Sequence, residues 1–206
     1  MKKIITCLFL MSAIAAQSQN WDINTLHKIN SWDAKFVRNT SKALSKSTPF
    51  IVIGAPAGMA IYAGIKKDNQ LLADAIYIGS SVCEAFVVTY SMKHLIDRER
   101  PYEKYPDRIN EQLRPSSASF PSMHTAAAFS LATSLSIKYP KWYVIAPSAA
   151  WACSVGLARM NEGVHYPSDV IAGAAIGAGC AVVNVYVNRW LTNLVFPEKK
   201  KLKIFY

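Results

Sequence analysis

Three short segments of the chain carry side chains that together can bind a phosphate group and break a bond to it. The segments run over 93–101 (KHLIDRERP), 119–125 (SFPSMHT) and 158–169 (ARMNEGVHYPSD). They supply three cations, a hydroxyl group, two imidazoles and a carboxylate, which are Lys93, Arg100, Arg159, Ser122, His124, His165 and Asp169. Guanidinium and ammonium groups bind phosphate oxygens, and a neutral imidazole attacks phosphorus as a nucleophile. The combination indicates phosphoryl-transfer chemistry.

The third segment places a histidine and a carboxylate four residues apart. His165 and Asp169 lie beside the start of a helix that Pro167 and Ser168 predict. We expect Asp169 to accept a hydrogen bond from one ring nitrogen of His165, which leaves the other nitrogen as a nucleophile. A carboxylate in a first helical turn is also favourable by itself, so Asp169 has a purely structural alternative. Arg159, six residues before His165, is expected to face the same pocket.

The second segment opens a predicted helix. Ser122 is placed to cap its N-terminus, and the free N–H groups of the first turn can then bind an anion. His124 lies in that turn, where the alternative is a capping or surface histidine. In the first segment, Lys93 has a similar alternative as part of an interfacial basic cluster, and Pro101 ends any helix that continues through Arg100.

The spacings K-x6-RP, PS-x-H and R-x5-H-x3-D resemble the motifs of the type 2 phosphatidic acid phosphatase family, which shares its fold with the vanadium haloperoxidases. Here they read Lys93–Arg100–Pro101, Pro121–Ser122–Met123–His124 and Arg159–His165–Asp169. The similarity covers roughly residues 48–190, and the bacterial membrane lipid phosphatases are the branch that the chain resembles. The resemblance implies a helical bundle with the active site at one end.

The same resemblance implies a role for each motif residue. His165 would attack phosphorus and form a phosphohistidine, Asp169 would orient it, and His124 would protonate the leaving oxygen and then activate water. The three cations would hold the equatorial oxygens, while Ser122 and the backbone N–H of Met123 add hydrogen bonds. No metal ion or other cofactor is implied, because arginine and lysine supply the charge that Mg²⁺ supplies in other phosphoryl-transfer sites.

Met123 departs from the family pattern, which usually has glycine between the serine and the histidine of the second motif. The backbone donor survives the change, but a side chain now stands beside the pocket. A residue in the first turn of a helix needs no positive φ, so we expect the turn itself to form. The side chain is expected to affect how bulky groups approach.

Composition limits the partners that such a site can have. The chain has 206 residues, enough for one domain, and a formal net charge of +10. A basic chain suits nucleic acid, anionic lipid or a phosphate substrate. No Lys/Arg-rich recognition helix with interleaved aromatic residues occurs, so nucleic acid is not an expected partner. The mean hydropathy of +0.13 is low for a protein made mostly of membrane spans, so that interpretation depends on local segments.

Five apolar segments predict an all-α bundle, interpreted as five transmembrane helices. They run over 49–65, 71–92, 125–137, 142–158 and 170–190. The second and fifth are long enough to span a bilayer, the first and fourth are borderline, and the third is short. They are rich in Gly, Ala and Ser, which allow membrane helices to pack closely, although the buried helices of a soluble bundle would look similar. Cys83, Cys153 and Cys180 lie in these segments and are expected to be small buried hydrophobes.

The ends of the chain suggest export and an orientation. Residues 1–18 resemble a signal peptide, cut near Ala16 to Ser18, with an uncleaved anchor as the alternative. Residues 19–47 predict an amphipathic helix that lies on the membrane or on the core. The phosphatase bundle is assigned to 48–192 and a basic cytoplasmic tail to 193–206. Lysines near 66–67 and 138–141 share the side of that tail. The three motifs then face the periplasm of a bacterial inner membrane.

These observations predict a metal-independent phosphatase that acts on a lipid phosphate or diphosphate. The candidate substrates are phosphatidic acid, phosphatidylglycerol phosphate, an undecaprenyl diphosphate and lipid A. Further headgroup charge would meet basic residues of the loop over 97–120, namely Arg98, Lys104, Arg108 and Arg114. The alternatives are a soluble periplasmic acid phosphatase of the same superfamily, a vanadate-dependent haloperoxidase, and a non-enzymatic membrane scaffold or transport subunit.

Overall fold

The computed structural model describes residues 20–195, and the side chains of residues 20–189. The predicted signal peptide and most of the predicted basic tail therefore lie outside the described residues. The described part of the first helix, α1, covers 20–30. The helices that follow are α2 (Lys35–Lys66), α3 (Asn69–Ile96), α4 (Pro101–Lys104), α5 (Met123–Lys138), α6 (Trp142–Asn161) and α7 (Pro167–Val195). Residues 20–195 contain no strand, and the all-α prediction is confirmed.

Helix α5 lies at the centre of the bundle and contacts α2, α3, α6 and α7. Its buried positions are mostly alanine and serine, so neighbouring helices can approach its backbone closely. Gly173 and Gly177 of α7 use that space. A Cβ atom at Gly173 would lie 2.6 Å from the carbonyl oxygen of Ser122, and one at Gly177 would overlap the carbonyl group of Ala126. Helices α5 and α7 therefore run side by side from the same end of the bundle.

Within residues 20–189, three helical segments are long and apolar enough to cross a membrane: Lys35–Lys66, Asn69–Lys104 and Pro167–Arg189. With its 16 residues, α5 rises about 24 Å, which is less than the hydrocarbon thickness of about 30 Å. Large apolar side chains are exposed along the outer face of α2, including Phe50 at 78% and Ile65 at 73%. Lipid is the environment in which such a face is stable. The prediction of five spans remains a prediction.

The segment that the sequence assigns to one amphipathic helix over 19–47 is divided in the structure. Helix α1 ends at 30, and α2 starts at Lys35 and continues without a break into the first apolar segment. Ile23 and Leu26 of α1 are buried in a core cluster with Val164 and Tyr166. Of the two locations considered for this helix, α1 takes the protein core, because its apolar face packs on the loop that leads into α7.

The three cysteines within the described residues differ from the expectation of burial. Cys180 is buried, whereas Cys83 and Cys153 are exposed on the surface of the bundle. An apolar helix that faces lipid has no need to bury its small residues against protein. The expectation was wrong for these two cysteines because a lipid-facing position and a core position have the same local sequence.

The order of the helices brings the three motif segments to one end of the bundle. Helices α3 and α6 end there, and α5 and α7 begin there. The connections α2–α3 and α5–α6, which carry Lys66, Lys67, Lys138 and Lys141, lie at the opposite end. An αL residue, Asp97 with φ 44°, closes α3 and turns the chain into the loop that contains Arg98 and Arg100.

Candidate active site

The three motif segments are joined to one another by direct hydrogen bonds. The first segment meets the second through Lys93, whose Nζ donates to the carbonyl oxygens of Ala118 (2.5 Å) and Ser119 (3.2 Å). The first segment contacts the third segment through Arg100, whose Nη1 donates to the carbonyl oxygen of Val164 at 2.7 Å. The second meets the third where the hydroxyl of Ser119 donates to Oδ2 of Asp169 at 2.6 Å. The predicted motif residues are therefore close together in space.

Asp169 is fully buried, and three donors besides histidine surround its carboxylate. Oδ1 accepts from Nη1 of Arg98 at 2.5 Å. Oδ2 accepts from the Ser119 hydroxyl and from the backbone N–H of Tyr166 at 2.9 Å. Nδ1 of His165 lies 3.4 Å from Oδ2 and, among the described side chains, is buried without a hydrogen-bond partner, so the two groups are adjacent but the expected hydrogen bond is not formed. The long contact still directs Nδ1 towards the carboxylate.

His165 is 2% exposed and lies on the loop between α6 and α7. Burial lowers the pKa of His165 to about 3, although the contact with Asp169 acts in the opposite direction. The imidazole is therefore neutral at physiological pH, which is the state that a nucleophile needs. The loop is positioned by Gly163 (φ 74°), where a Cβ atom would lie 2.8 Å from Cγ2 of Ile109.

His124 lies in the first turn of α5 and is half-buried. Burial, and after it the charges of Arg159, Lys93 and Arg100 in that order, together lower the pKa of His124 to about 3. The three cations of two different motifs thus converge on one imidazole. A bound dianion would offset their charge, and the pKa of His124 would then rise.

Arg159 is held by a buried carboxylate that the sequence analysis did not select. Its Nη1 donates to Oε2 of Glu162 at 2.6 Å, and the same oxygen accepts from the Ser45 hydroxyl of α2 at 2.7 Å. Burial raises the pKa of Glu162, and the neighbouring Arg159 acts against that shift. Among the side chains that the structure describes, Nε of Arg159 is buried without a hydrogen-bond partner. That donor is available to a phosphate oxygen.

The other two cations, Lys93 and Arg100, donate most of their hydrogen bonds to backbone carbonyl groups. Arg100 donates from Nε to the Ser117 carbonyl at 2.7 Å and from Nη2 to the Ala118 carbonyl at 3.3 Å, in addition to Val164. Together with Lys93, it holds the 117–119 loop against the loop that carries His165. Their contribution to anion binding is therefore positive charge and the few remaining N–H groups.

Ser122 and Met123 form the start of α5 as expected, with one difference. Ser122 occupies the N-cap position, but its hydroxyl contacts the Thr125 hydroxyl at 2.9 Å and caps no backbone N–H. Met123 is the first residue of α5, and the positive-φ non-glycine residues in the described chain are Lys67 and Asp97. The turn forms without strain at Met123. Met123 and His124 are half-buried while Ser122 is fully buried, so the side chain of Met123 is partly accessible beside the site.

The basic loop over 97–120 is used mainly for internal contacts. Arg98 pairs with Asp22 (2.8 Å) as well as with Asp169, and its guanidinium lies 4.0 Å from the ring centroid of Tyr166. Arg108 donates to Asn24 and Arg114 pairs with Glu111. Lys104 instead lines a cavity of about 190 Å³ together with Arg98, Glu99, Tyr105 and Tyr166. This cavity lies next to the loop of His165.

Four residues of the site have no assigned role in the sequence analysis. Ser119 and Glu162 lie inside the motif segments, so their proximity to the selected residues was a usable signal. Asp22 and Ser45 come from α1 and α2, more than 70 residues before Asp169. No local pattern connects them to the motifs. Among residues 20–189, no group of three His, Cys, Asp or Glu side chains is close enough to hold a metal ion.

One protein family and several known proteins are similar to this chain. The family model of the PAP2 superfamily matches residues 74–193. The chain is 36% identical over 104 residues to decaprenylphosphoryl-5-phosphoribose phosphatase of Mycobacterium tuberculosis, which covers 48% of this chain and 53% of that protein. It is 34% identical over 93 residues to lipid A 1-phosphatase of Porphyromonas gingivalis, which covers 42% and 20%. The chain thus spans about half, or less, of the length of these relatives.

A solved structure shares the fold over most of both chains. A transmembrane PAP2 type phosphatidylglycerolphosphate phosphatase from Bacillus subtilis superposes with a TM-score of 0.64. The superposition covers 91% of this chain and 94% of that one, at 21% sequence identity. At that sequence identity, the comparison shows a shared fold and nothing about activity.

Proposed function

The chain belongs to the PAP2 superfamily, and we propose that it hydrolyses a phosphate or diphosphate ester of a membrane lipid through a phosphohistidine on His165. The observation that carries the proposal is the difference in environment between the buried His165 and the half-buried His124. His165 is neutral and faces Asp169, whereas His124 is surrounded by Lys93, Arg100 and Arg159. A nucleophile and an acid–base group need these two environments.

In the first step, the ring nitrogen of His165 opposite Nδ1 attacks phosphorus. A bond forms between that nitrogen and phosphorus, and the bond from phosphorus to the lipid oxygen breaks. His124 becomes protonated when the substrate's negative charge offsets the three cations, and it gives that proton to the leaving oxygen. The cations stabilise the charge on the three equatorial oxygens. Asp169 stabilises the positive charge that develops on His165.

In the second step, water attacks the phosphohistidine. His124, now neutral, accepts a proton from the attacking water, and the bond from phosphorus to His165 breaks. As inorganic phosphate leaves, His124 releases that proton to solvent, and both histidines are again neutral. Glu162 holds Arg159 in place through both steps, because its Oε2 is bonded to the guanidinium at 2.6 Å. No metal ion takes part in this scheme.

A lipid is the proposed carrier of the phosphate because the site lies at the end of a bundle with exposed apolar faces. The relatives named above are, by name, phosphatases of lipid A and of a decaprenyl phosphoribose. The cavity beside Tyr166, with Lys104 on its wall, has room for a polar part of a headgroup. With the lysine-rich connections on the cytoplasmic side, the site faces the periplasm of an inner membrane. Phosphatidic acid, phosphatidylglycerol phosphate, undecaprenyl diphosphate and lipid A remain the candidate substrates.

A soluble acid phosphatase of the same superfamily uses the same residues, so location discriminates between the two. The three candidate spans and the exposed side chains of α2 favour the membrane enzyme. After cell fractionation, we expect the protein in the inner membrane fraction and resistant to extraction by carbonate. Release by carbonate would favour the soluble alternative.

The direct test is phosphate release by the purified protein in detergent from each of the four candidate lipids. We expect at least one to be hydrolysed and His165→Ala to lose about 10³-fold or more of the rate. His94→Ala is the matched control, because His94 is exposed on α3 and its ring lies tilted against that of Tyr90, with the ring centroids 4.4 Å apart. Equal hydrolysis by wild type and His165→Ala would contradict the proposal, as would the absence of phosphate release from all four lipids.

A further inference from the structure

Asp22 of α1 is a buried carboxylate that caps the helix carrying Asp169. It is 2% exposed. Its Oδ1 accepts a 2.9 Å hydrogen bond from the backbone N–H of Ser168, and its Oδ2 accepts a hydrogen bond from the Ser168 hydroxyl. Ser168 is the second residue of α7, where a backbone N–H has no partner within the helix. Asp22 therefore fixes the first turn of α7 from outside that helix.

Arg98 connects Asp22 to the active site. One guanidinium nitrogen, Nη2, donates to Oδ2 of Asp22 at 2.8 Å, and the other, Nη1, donates to Oδ1 of Asp169 at 2.5 Å. The flat face of the guanidinium packs on the Tyr166 ring, which limits its movement. The result is a chain of carboxylate, guanidinium and carboxylate that ends beside His165. Its net charge is −1, and both carboxylates are almost fully removed from water.

Helix α1 is held in place by polar bonds that are independent of Asp22. The side chain of Asn30 donates to the carbonyl oxygens of Asn110 and Asn161, both at 2.9 Å. The side chain of Asn161 in turn donates to the carbonyl oxygens of Ile29 and Trp32. Asp22 is thus presented to Arg98 by a docked helix, and removal of its charge leaves the rest of the docking intact.

The charge balance of this chain affects the reaction. With Asp22 present, the positive charge of Arg98 is shared, and Asp169 retains a net negative potential at His165. Without that charge, Arg98 and Asp169 would neutralise each other, and the imidazole would lose stabilisation as it becomes positively charged on bonding to phosphorus. Buried charges are little screened by salt, so the loss persists at physiological ionic strength.

We propose that Asp22 is a positioning residue of the active site, which acts through Arg98 and Ser168 on Asp169 and so on the nucleophile His165. This proposal rests on the function proposed above. It makes α1 a part of the catalytic unit. The sequence motifs begin only at Lys93, and Asp22 precedes them by more than 70 residues.

The test compares Asp22→Asn with Asp33→Asn in the purified full chain. Asp33 is 64% exposed and pairs with Arg38, so its variant makes the same charge change without contact to the site. We expect Asp22→Asn to lower kcat by about tenfold and to change KM by less than about twofold. Asp33→Asn is expected to retain both constants. Thermal unfolding in detergent records whether each variant is folded.

Inhibition separates a positioning role from general loosening of the site. Vanadate mimics the trigonal-bipyramidal transition state and bonds to the nucleophile, whereas inorganic phosphate binds the cations without that bond. For Asp22→Asn, the inhibition constant of vanadate is expected to rise by about tenfold, in step with the loss of kcat, while that of phosphate changes by less than about twofold. Equal weakening of both inhibitors would contradict a role through His165.

A double-variant cycle tests whether Asp22 acts through Arg98. In an Arg98→Gln background, adding Asp22→Asn should lower kcat by less than about a further twofold. If Asp22→Asn does not fold, Arg98→Lys replaces it in the inhibitor comparison, since a lysine cannot bridge both carboxylates. Wild-type kcat and vanadate inhibition in Asp22→Asn would overturn the inference while leaving the phosphatase proposal intact. A wild-type protein without phosphatase activity would overturn the function itself.

Discussion

The backbone N–H of Ser122 donates a 3.1 Å hydrogen bond to the carbonyl oxygen of Asp169. This bond joins the first residues of α5 and α7, so the helix that carries His124 and the helix that carries Asp169 start from a common point. The two backbones can approach so closely because α7 has glycine at 173 and 177, opposite Ser122 and Ala126. The distance between the two helix starts that carry His124 and Asp169 therefore depends on these glycines.

We predict that Gly177→Ala destabilises the protein and lowers its activity. The new Cβ atom would overlap the backbone carbonyl of Ala126, which cannot move without shifting α5. The expected measurements are a lower thermal unfolding temperature in detergent and a loss of phosphate release. Gly179→Ala is the matched control on the same helix, because no heavy atom lies within 4 Å of its Cβ position. Similar unfolding temperatures for both variants would show that the close approach is unimportant.

We predict that Asp169→Asn loses about 10²- to 10⁴-fold in kcat with a much smaller change in KM. An amide cannot accept bonds from Arg98, Ser119 and Tyr166 as a carboxylate does, and it cannot stabilise a positive His165. Steady-state kinetics on the best lipid substrate measure both constants. Asp107→Asn, on an exposed loop position, carries the same charge change and should be indistinguishable from wild type. A loss confined to KM would argue that Asp169 serves substrate binding.

The pH dependence should follow the two histidines in opposite ways. His165 must be neutral to attack, and its pKa of about 3 keeps it neutral, so kcat/KM should not fall between pH 7 and pH 5 through its protonation. His124 must be protonated in the substrate complex, so kcat should fall as pH rises through its pKa there.

Lys93→Met tests whether His124 causes the expected fall of kcat at high pH, which is the basic limb of the pH profile. Removal of one cation raises the pKa of His124, because Lys93 is among the charges that lower it. The basic limb of the kcat profile should therefore move to higher pH, whatever the loss in maximal rate. A limb that moves to lower pH would exclude His124 as the acid.

We predict that Met123→Gly retains activity and accepts bulkier phosphate esters. Met123 is half-buried beside the site, and its backbone already has the helical conformation that other residues adopt. Rates on a series of esters of increasing width, divided by the wild-type rates, measure the effect. Met123→Leu keeps the bulk of the side chain and should leave the series unchanged. Complete loss of activity in Met123→Gly would mean that the side chain has a positive role.

The sequence predicts most of the residues that the structure brings together at the candidate site, because each motif is local. His165 and Asp169 are four residues apart on one loop and helix start, and Ser122 and His124 are two apart, so spacing alone predicts their neighbours. Asp22 lacks such a signal, because a carboxylate in an amphipathic helix resembles any solvated residue until the fold brings it to Arg98. Arg98 was expected to face a headgroup for the same reason.

Helix boundaries were less predictable than helix identity. Residues 31–34 separate α1 from α2. The N-cap position of α2 is Ala34, whose side chain makes no capping hydrogen bond, so the residue at this position does not mark the helix start in the sequence. Helix α2 then passes from a polar to an apolar stretch as a single helix, although Pro49 lies at that boundary and has no backbone N–H to donate. Composition changes at about residue 48, but the helix does not.

The phosphohistidine is the central claim, and chemical trapping tests it most directly. His124→Ala is incubated with an activated phosphate ester, whose good leaving group needs no acid, and the protein is quenched in alkali and mapped by mass spectrometry. The proposed mechanism predicts a phosphoryl group on His165 that accumulates because the base for its hydrolysis is absent, and no label in His165→Ala. A phosphoryl group on another residue, or undiminished label in the His165→Ala protein, would contradict it.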